Sequence, residues 1–356
     1  MEKVSARKIL IMKFCCFGDL VFISPVIASF KLNYPDADIS LICSPWVKDI
    51  APYFKDVSDV IEYPLNEKGN TFAKLKSFLK LVFLLRAKKF DTVFLGHRNN
   101  AFGYLVKLSG IKNIFGFKET KFVNYGAEFD KNAYEPMRYL SVLEKQGLQT
   151  IKKLHLQRRI DSDTVKQKYN LSKKYTIGFF PFGGINPGTD MDIKRWDIDK
   201  YIILSEQLQK SYTDFNVLLI EGKEDSEKIN KDTLCRKLTV DIDLISACNV
   251  FVSGDTGPLH IASAFNVNTV SIFGPSNPEL IAPKSEYTTG AIHETIWKKI
   301  QCSPCYTPET AIDRNSKQWN GNKFLCYTKT HECIKSITID EVKERIEYII
   351  KLKNLS

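Results

Sequence analysis

The chain is 356 residues long, 44% of them hydrophobic, with a formal net charge of +10. This composition excludes a disordered chain. The length exceeds the roughly 250–300 residues at which one hydrophobic core stops growing, so two domains are expected. The sequence lacks an apolar run of the roughly 18 residues that a membrane span needs, and its amino end lacks a signal-peptide pattern. We therefore predict a cytoplasmic protein.

The positive charge belongs to the first half of the chain. Residues 1–170 contain 28 Lys and Arg against 17 Asp and Glu, whereas residues 171–356 contain 23 against 24. Such a basic surface favours an anionic partner, which could be a nucleic acid, an acidic membrane surface or a phosphorylated glycolipid. Lysines that only keep the protein in solution are the alternative.

Apolar runs of strand length alternate with helical patterns along the first half. They predict strands at 8–12, 38–43, 57–63, 91–96 and 154–160, and helices at 20–34, 46–54, 71–89, 101–109 and 136–147. Residues 116–135 have little periodicity and are expected to form a loop. This alternation is typical of a parallel sheet covered by helices on both faces.

The predicted helix at 71–89 is basic and amphipathic, with apolar residues at helical spacing and Lys and Arg around its polar side. A helix of this kind suits the surface of a membrane. A helix that covers one face of the sheet is the alternative.

The second half repeats the first half's architecture but not its sequence. Strands are predicted at 175–180, 216–220, 250–253 and 269–273, and helices at 197–211, 258–265 and 338–352, with a charged helix that ends near 236. The polar stretch 161–174 separates the halves, so we expect one domain at 1–165 and another at 166–356. The second domain contains a Cys-containing insert at about residues 300–335. The sequence thus predicts an α/β fold with two Rossmann-like parallel sheets.

Residues 249–283 hold the densest site pattern in the chain. A strand leads into Gly254-Asp255-Thr256-Gly257, where a helix must begin, and the next strand ends at the second turn, Gly274-Pro275-Ser276. Backbone N–H groups at a helix start bind anions, so the first turn can hold a pyrophosphate, with Thr256 and His260 as further donors.

Asp19 and Lys194 are the candidates for chemistry. Asp19 follows Gly18 at the carboxyl edge of the first strand, where open parallel sheets bind ligands. By spacing alone, this carboxylate equally suits a helix cap. Lys194 follows the turn Gly183-Gly184 and lies near Trp196, and a surface lysine without a catalytic role is the alternative there.

These motifs resemble glycosyltransferase family 9, the lipopolysaccharide heptosyltransferases. DTGPLH, the helix and strand after it, and FGPSNP resemble the family's donor-binding signature, and KFCCFGDLV resembles its K-x-S-S-x-G-D-V motif. Cys15 and Cys16 replace the small hydroxyl residues of that motif. The resemblance implies a GT-B architecture, in which two Rossmann-like domains face a central cleft.

The resemblance also implies roles for single residues. Asp19 is the expected catalytic base, and Lys194 the cation that stabilises the departing diphosphate in a metal-independent, inverting transfer. Arg98 is expected to bind an acidic acceptor. The expected donor-binding residues are Gly183, Gly184, Glu224, Asp255, Thr256, Gly257, His260 and Gly274, with Glu224 on the donor's ribose.

The implied donor is ADP-heptose, and the implied acceptor is the lipopolysaccharide core, an anionic glycolipid at the cytoplasmic face of the inner membrane. Another nucleotide sugar or a protein acceptor, such as an autotransporter, is the alternative within the family. A basic nucleic-acid-binding module with a Cys metal knuckle is the alternative outside it. The nucleic-acid-binding hypothesis gives the DTGPLH motif no function, so no nucleic-acid partner is expected.

Four of the nine cysteines suggest a metal site. Cys302-x2-Cys305 has the spacing of a metal knuckle, and Cys326 and Cys333 follow in the same polar insert, with His331 as a substitute ligand. We expect a structural Zn or Fe site there, with free thiols or disulfides as the alternatives. No cofactor is expected for catalysis itself.

Overall fold

The computed structural model describes residues 5–64, 71–222, 233–307, 310–311, 313 and 315–355. The chain divides into two compact units, Met1–Gln157 and Arg158–Ser356. This division precedes the predicted boundary between residues 165 and 166.

In the described part of the first unit, six parallel strands form a sheet in the order β3-β2-β1-β4-β5-β6. The strands are β1 (Lys8–Met12), β2 (Asp38–Cys43), β3 (Asp59–Glu62), β4 (Thr92–Leu95), β5 (Asn113–Phe117) and β6 (Tyr125–Ala127). The first four confirm the predicted strands.

The edge of this sheet departs from prediction. Residues 116–135 were expected to form a loop, but β5 ends inside this range and β6 lies within it. The two strands pair with Phe115 opposite Tyr125, and these rings stack with centroids 4.8 Å apart. Contacts between side chains on neighbouring strands stabilise these two strands. The hydrophobic pattern within one segment of sequence does not predict such contacts. The prediction of a strand at 154–160 is also wrong, because these residues do not form a strand.

The helices of the first unit are α1 (Phe17–Phe22), α2 (Ser24–Asn33), α3 (Thr71–Lys88), α4 (Asn100–Leu108) and α5 (Glu135–Glu144), with a 3₁₀ helix at Pro45–Tyr53. The helix predicted at 20–34 is therefore two helices, which meet at Ile23. Pro25 lies in the first turn of α2, where its missing N–H breaks no helical hydrogen bond.

The described residues of the second unit form a six-stranded parallel sheet in the order β11-β10-β7-β12-β13-β14. Its strands are β7 (Tyr175–Phe180), β10 (Phe215–Glu221), β11 (Arg236–Thr239), β12 (Val250–Gly254), β13 (Asn268–Phe273) and β14 (His293–Trp297). A small second sheet contains β8 (Ile185–Asn186), β9 (Thr189–Asp190), β15 (Trp319–Asn320) and β16 (Lys323–Phe324).

The helices of the second unit are α6 (Ser162–Lys168), α7 (Ile198–Ser211), α8 (Ile242–Ser246), α9 (Gly257–Ala264), α10 (Pro278–Ile281), α11 (Glu332–Lys335) and α12 (Ile339–Leu352), with 3₁₀ turns at Asp192–Lys194 and Ser285–Tyr287. The charged helix predicted to end near residue 236 falls largely outside the described residues, and its predicted end lies in strand β11. Within the described ranges, none of the helices combines the length and hydrophobicity needed to cross a membrane.

Candidate active site

Three turns converge at the carboxyl edge of the second sheet, because β7, β12 and β13 are adjacent parallel strands. β12 ends at Gly254, and α9 begins three residues later at Gly257. Thr256 occupies the N-cap position, and its hydroxyl accepts a hydrogen bond from the Leu259 N–H at 3.4 Å. The predicted strand, turn and helix are thus confirmed, with Thr256 as the cap that starts the helix.

Asp255 is the centre of this edge. Its carboxylate lies 2.5 Å from the Lys194 ammonium, and it accepts a hydrogen bond from the Ser276 hydroxyl at 2.7 Å. His260 Nε2 lies 3.7 Å from the other carboxylate oxygen. The hydrogen bond to Ser276 therefore links the two turns that the sequence placed at one sheet edge.

Burial and charge act against each other at Asp255. The side chains of Asp255 and Lys194 are only 9% and 13% exposed. Burial alone raises the pKa of the Asp255 carboxyl, but Lys194 and His260 outweigh it and hold that pKa well below its usual range. Lys194 also lies 4.6 Å from the centroid of the Tyr306 ring. The two side chains therefore form a buried ion pair.

The predicted glycines shape these turns. Gly183 and Gly184 have φ angles of +107° and +78°. A Cβ atom on Gly183 would meet Thr256 Cγ2 at 2.5 Å, and one on Gly184 would meet the Met191 carbonyl oxygen at 2.5 Å. Another residue at either position would therefore be strained for two independent reasons, the positive φ and the close contact. Gly183 can lie this close to Thr256, the N-cap of α9, only because it has no side chain.

Gly274 directly follows β13 in a crowded position. Its carbonyl oxygen accepts hydrogen bonds from Ser303 Oγ at 2.6 Å and from Trp297 Nε1 at 3.2 Å. A Cβ atom here would meet Ile334 at 3.0 Å. Gly274 therefore joins the sheet edge to the Cys-containing insert.

Asp19 lies in the first unit, as the third residue of α1. The N-cap positions of α1 and α2 are Cys16 and Ile23, so Asp19 caps neither helix. Its carboxylate lies 3.6 Å from the Lys13 ammonium and accepts a hydrogen bond from the Cys15 thiol at 3.2 Å. The side chain is 27% exposed, so solvent or a ligand can reach it.

Lys13 is buried behind Asp19 and was not among the predicted site residues. Its ammonium donates to the Gly96 carbonyl at 3.2 Å and to the Tyr139 hydroxyl at 2.9 Å. Burial alone lowers the pKa of Lys13, but Asp19 and Tyr139 outweigh it and raise that pKa well above its usual value. A permanent positive charge therefore lies beside the Asp19 carboxylate.

His97 lies near Lys13. Burial and the charge of Lys13 both lower its pKa well below the usual value. Consistent with a neutral ring, Nε2 accepts a hydrogen bond from the Phe14 N–H at 3.0 Å. His97 therefore holds the chain just after Lys13 and does not add a second cation.

Among the described residues of the prediction, Arg98 stands apart from these groups. The Arg98 guanidinium lies over the Phe129 ring, 3.5 Å from its centroid, on the exposed surface of the first unit. Glu224 lies outside the described residues. The predicted contacts of Arg98 with an acceptor and of Glu224 with a ribose thus stay predictions.

Residues 78–314 match the family model described as glycosyltransferase family 9 (heptosyltransferase). The chain belongs to glycosyltransferase family 9. A relative named lipopolysaccharide heptosyltransferase 2, from Escherichia coli (strain K12), is 25% identical over 308 residues, which cover 78% of this chain and 86% of the relative.

Solved structures share the fold of this family 9 chain. The structure of E. coli ADP-heptose lps heptosyltransferase II has a TM-score of 0.72 at 20% identity, covering 98% of this chain and 99% of that one. The iron-containing dodecameric glycosyltransferase TibC from enterotoxigenic E. coli H10407 has a TM-score of 0.58 at 13% identity, covering 99% of this chain and 80% of that one. These likenesses confirm the predicted GT-B fold class.

The family 9 chain carries its four clustered cysteines around one small pocket. The pocket is lined by Cys302, Cys305, Cys326 and Cys333, together with His331. Burial and the neighbouring thiols raise the pKa of Cys305 to about 11 and that of Cys333 to about 12. The structure places none of the nine cysteines in a disulfide.

Sequence reasoning missed Ser276, Lys13 and Tyr139. Ser276 belongs to the quoted FGPSNP motif, and Lys13 begins the quoted KFCCFGDLV motif, so the signal for both was present. Tyr139 lies in α5, 126 residues from its partner Lys13, and no local pattern identifies such a distant contact.

Proposed function

We propose that this family 9 protein is an inverting glycosyltransferase that moves a heptose from ADP-heptose to an anionic lipopolysaccharide core acceptor. The observation that carries the proposal is the convergence of Lys194, Ser276 and the N-terminus of α9 around Asp255. The names of the E. coli relative and of the solved heptosyltransferase II support the choice of donor and acceptor.

The donor is proposed to bind the second unit through its diphosphate. Backbone N–H groups in the first turn of α9 lie at the positive end of the helix dipole and suit phosphate oxygens. Lys194 adds a full positive charge, and its ammonium has three N–H donors. Asp255 accepts from Lys194 and Ser276, so it positions the lysine in our proposal and contacts the donor only through it. No divalent cation takes part in this proposal.

The acceptor is proposed to bind the first unit, with Asp19 as general base. Lys13 holds a positive charge 3.6 Å from the carboxylate. Asp19 removes the proton of the acceptor hydroxyl while that oxygen bonds to the anomeric carbon. The bond from this carbon to the diphosphate breaks in the same step, and the electron pair leaves with the ADP. One displacement inverts the anomeric centre.

Asp19→Ala tests this assignment. We expect it to abolish nearly all turnover while donor binding stays close to that of the unmodified protein, since the donor groups lie on the other unit. Asp36→Ala, which changes an exposed carboxylate, is the matched control. Turnover retained by Asp19→Ala would show that the base lies elsewhere.

Donor choice is tested separately by a panel of nucleotide sugars. A donor present at 100 times its Kd raises the free energy of unfolding by about 2.7 kcal/mol, which a thermal shift detects. We expect ADP-heptose to give the largest shift, and Lys194→Met to reduce that shift. A larger shift and turnover with another nucleotide sugar would replace ADP-heptose in the proposal.

We further propose that α3 contacts an anionic membrane surface, where a glycolipid acceptor would lie. Phe72, Leu75, Leu79 and Phe83 recur at helical spacing and are 75%, 53%, 42% and 66% exposed. The opposite side of the helix is buried in the first unit through Leu81, Val82 and Leu85.

The predicted alternative, a helix that only covers the sheet, accounts for the buried side of α3 alone. The exposed apolar stripe lies beside the exposed lysines Lys76 and Lys80. An apolar stripe flanked by cations matches an interfacial helix on acidic lipids.

Sedimentation with lipid vesicles tests this contact. We expect binding to vesicles that contain phosphatidylglycerol, weakened by salt, and little binding to pure phosphatidylcholine. Phe72→Ser with Phe83→Ser should weaken binding about tenfold or more. Tyr348→Ser with Leu352→Ser, which alters exposed apolar residues of α12, is the control. Equal binding of the two double variants would exclude this role of α3.

Finally, we propose that the four-cysteine pocket holds a structural Zn or Fe ion. Thiolates are the ligands that both metals accept in structural sites, and the likeness to iron-containing TibC supports the proposal. Coordination of the ion by these four cysteines would order the Cys-containing insert next to Gly274. Metal analysis of protein purified without chelator or nickel resin should find about one ion per chain, and Cys302→Ser with Cys305→Ser should lose it. Metal-free, fully folded protein would contradict the proposal.

A further inference from the structure

A second group of sulfur ligands lies beside Asp19. Cys15 and Cys16 stand where the motif of family 9 has small hydroxyl residues. The Cys15 thiol donates to Asp19 Oδ2 at 3.2 Å. Among the described residues, Cys15, Cys16 and Asp19 form the one group of three Cys, His, Asp or Glu residues whose ligand atoms all lie within 4.8 Å of each other. Each of the three residues is partly exposed.

We propose that Cys15, Cys16 and Asp19 bind a thiophilic divalent cation of the Zn²⁺ or Cd²⁺ class, and that this ion blocks sugar transfer. Two sulfurs and one carboxylate oxygen are ligands that Zn²⁺ accepts, and three protein ligands leave a fourth position for water. Hard ions such as Mg²⁺ avoid sulfur, so the site selects for soft cations.

The backbone explains why two consecutive side chains reach one carboxylate. In an extended chain, neighbouring side chains point to opposite sides. Cys16 instead has a φ angle of +60°, at the N-cap position of α1. This left-handed conformation is uncommon for a residue other than glycine. With this backbone, the sulfurs of Cys15 and Cys16 and a carboxylate oxygen of Asp19, the third residue of α1, all lie within 4.8 Å of one another.

The charges of the group balance when the ion binds. Both thiols lose their protons to solvent, and the two sulfurs and one carboxylate oxygen bond to the cation. The hydrogen bond from Cys15 to Asp19 is lost. Two thiolates and one carboxylate carry three negative charges, which the divalent ion and Lys13 neutralise together. Lys13 keeps its hydrogen bonds to Gly96 and Tyr139, so it can stay in place as the countercharge.

Inhibition follows if Asp19 is the base, and this part of the inference rests on the proposed function. An ion on the carboxylate prevents it from accepting the proton of the acceptor hydroxyl. Binding of the ion does not depend on that role. The two statements therefore need separate measurements.

Binding is measured by titrating the full chain with Cd²⁺ and following the ultraviolet absorption of thiolate-to-Cd²⁺ charge transfer. The four-cysteine pocket also offers thiols, so the comparison is between variants. Cys15→Ser with Cys16→Ser, which restores the residue class of the family motif, should bind about one Cd²⁺ fewer per chain and lose the absorption of two thiolates. Cys302→Ser with Cys305→Ser should keep that part of the signal.

Asp19→Asn keeps both thiols and removes the carboxylate. It should weaken Cd²⁺ binding at this site by at least about tenfold. Equal stoichiometry and absorption in the unmodified protein and in the Cys15, Cys16 double variant would overturn the inference. Circular dichroism of each variant checks that it is folded. Cys16→Ala removes one ligand by itself and tests the site a second time.

Transfer activity is then measured with increasing Zn²⁺, each variant relative to its own rate without the ion. We expect the unmodified protein to be inhibited and the Cys15, Cys16 double variant to need at least about tenfold more Zn²⁺. Equal sensitivity of the two would overturn the claim of inhibition. If Cd²⁺ bound at Cys15 and Cys16 without inhibiting transfer, the proposed metal site would stand. Asp19 would then not be the catalytic base.

Discussion

Asp255→Asn removes the carboxylate beside Lys194 and nearly preserves the volume of the side chain. The two charged side chains are 9% and 13% exposed, with their atoms 2.5 Å apart. Loss of one member of such a buried pair typically costs about 3–5 kcal/mol, because a buried charge keeps its desolvation penalty without its partner. At roughly 2–4 °C per kcal/mol for a unit of this size, Tm should fall by roughly 6–20 °C.

The matched control is Asp192→Asn. Asp192 pairs with Lys323 at 2.6 Å, nearly the same distance, but these side chains are 37% and 42% exposed. An exposed pair contributes at most about 1 kcal/mol. The comparison therefore holds distance constant and varies burial.

Urea unfolding followed by tryptophan fluorescence measures both variants. Trp196, Trp297 and Trp319 lie in the second unit, together with the altered pairs. Lys194→Met combined with Asp255→Asn removes both charges, so the double variant should lose clearly less than the sum of the single losses. Equal losses for Asp255→Asn and Asp192→Asn would refute the reasoning that burial determines the energy of the pair.

Three further predictions concern the second unit. Because the folded state lowers the pKa of Asp255, its ionisation stabilises the fold above the unfolded-state pKa of about 3.9 and less as pH falls below it. The unmodified protein should therefore lose more free energy of unfolding than Asp255→Asn between about pH 5 and pH 2, and parallel pH profiles would contradict this. Gly183→Ala should cost more stability in urea unfolding than Gly290→Ala, because both have positive φ but only Gly183 has an atom within 2.5 Å of the new Cβ; equal costs would exclude the clash as the cause. Thr338→Ala should cost about 1 kcal/mol in the same assay, since it breaks the capping box with Glu341 at the start of α12, and an unchanged midpoint would show that the box is not needed.

Much of the fold could be predicted because strand and helix patterns are local. The buried strands β1, β7, β12 and β13 are mostly apolar and of strand length, so their sequences alone identify them. β6 and β14 were missed for the opposite reason. They are edge strands with partly exposed residues, and they are strands because of the neighbour they pair with.

The sequence likewise predicted only part of the candidate site. The turn after β12 and its N-cap Thr256 could be predicted, since Gly and Thr at a strand end signal a helix start. The partners of Asp255 could not. Lys194 is 61 residues from it and Ser276 is 21 residues from it, and nothing in either local sequence specifies the contact.

The sequence by itself determined the family, the two-sheet α/β class and the position of each site motif, because these depend on short patterns of apolar residues and turn residues. Only the tertiary structure decided which charges meet. Asp255 meets Lys194 and Ser276 because β12 lies between β7 and β13. Lys13 reaches the Gly96 carbonyl because β1 lies beside β4. Strand order brings distant residues into contact, and that order is a property of the whole folded sheet.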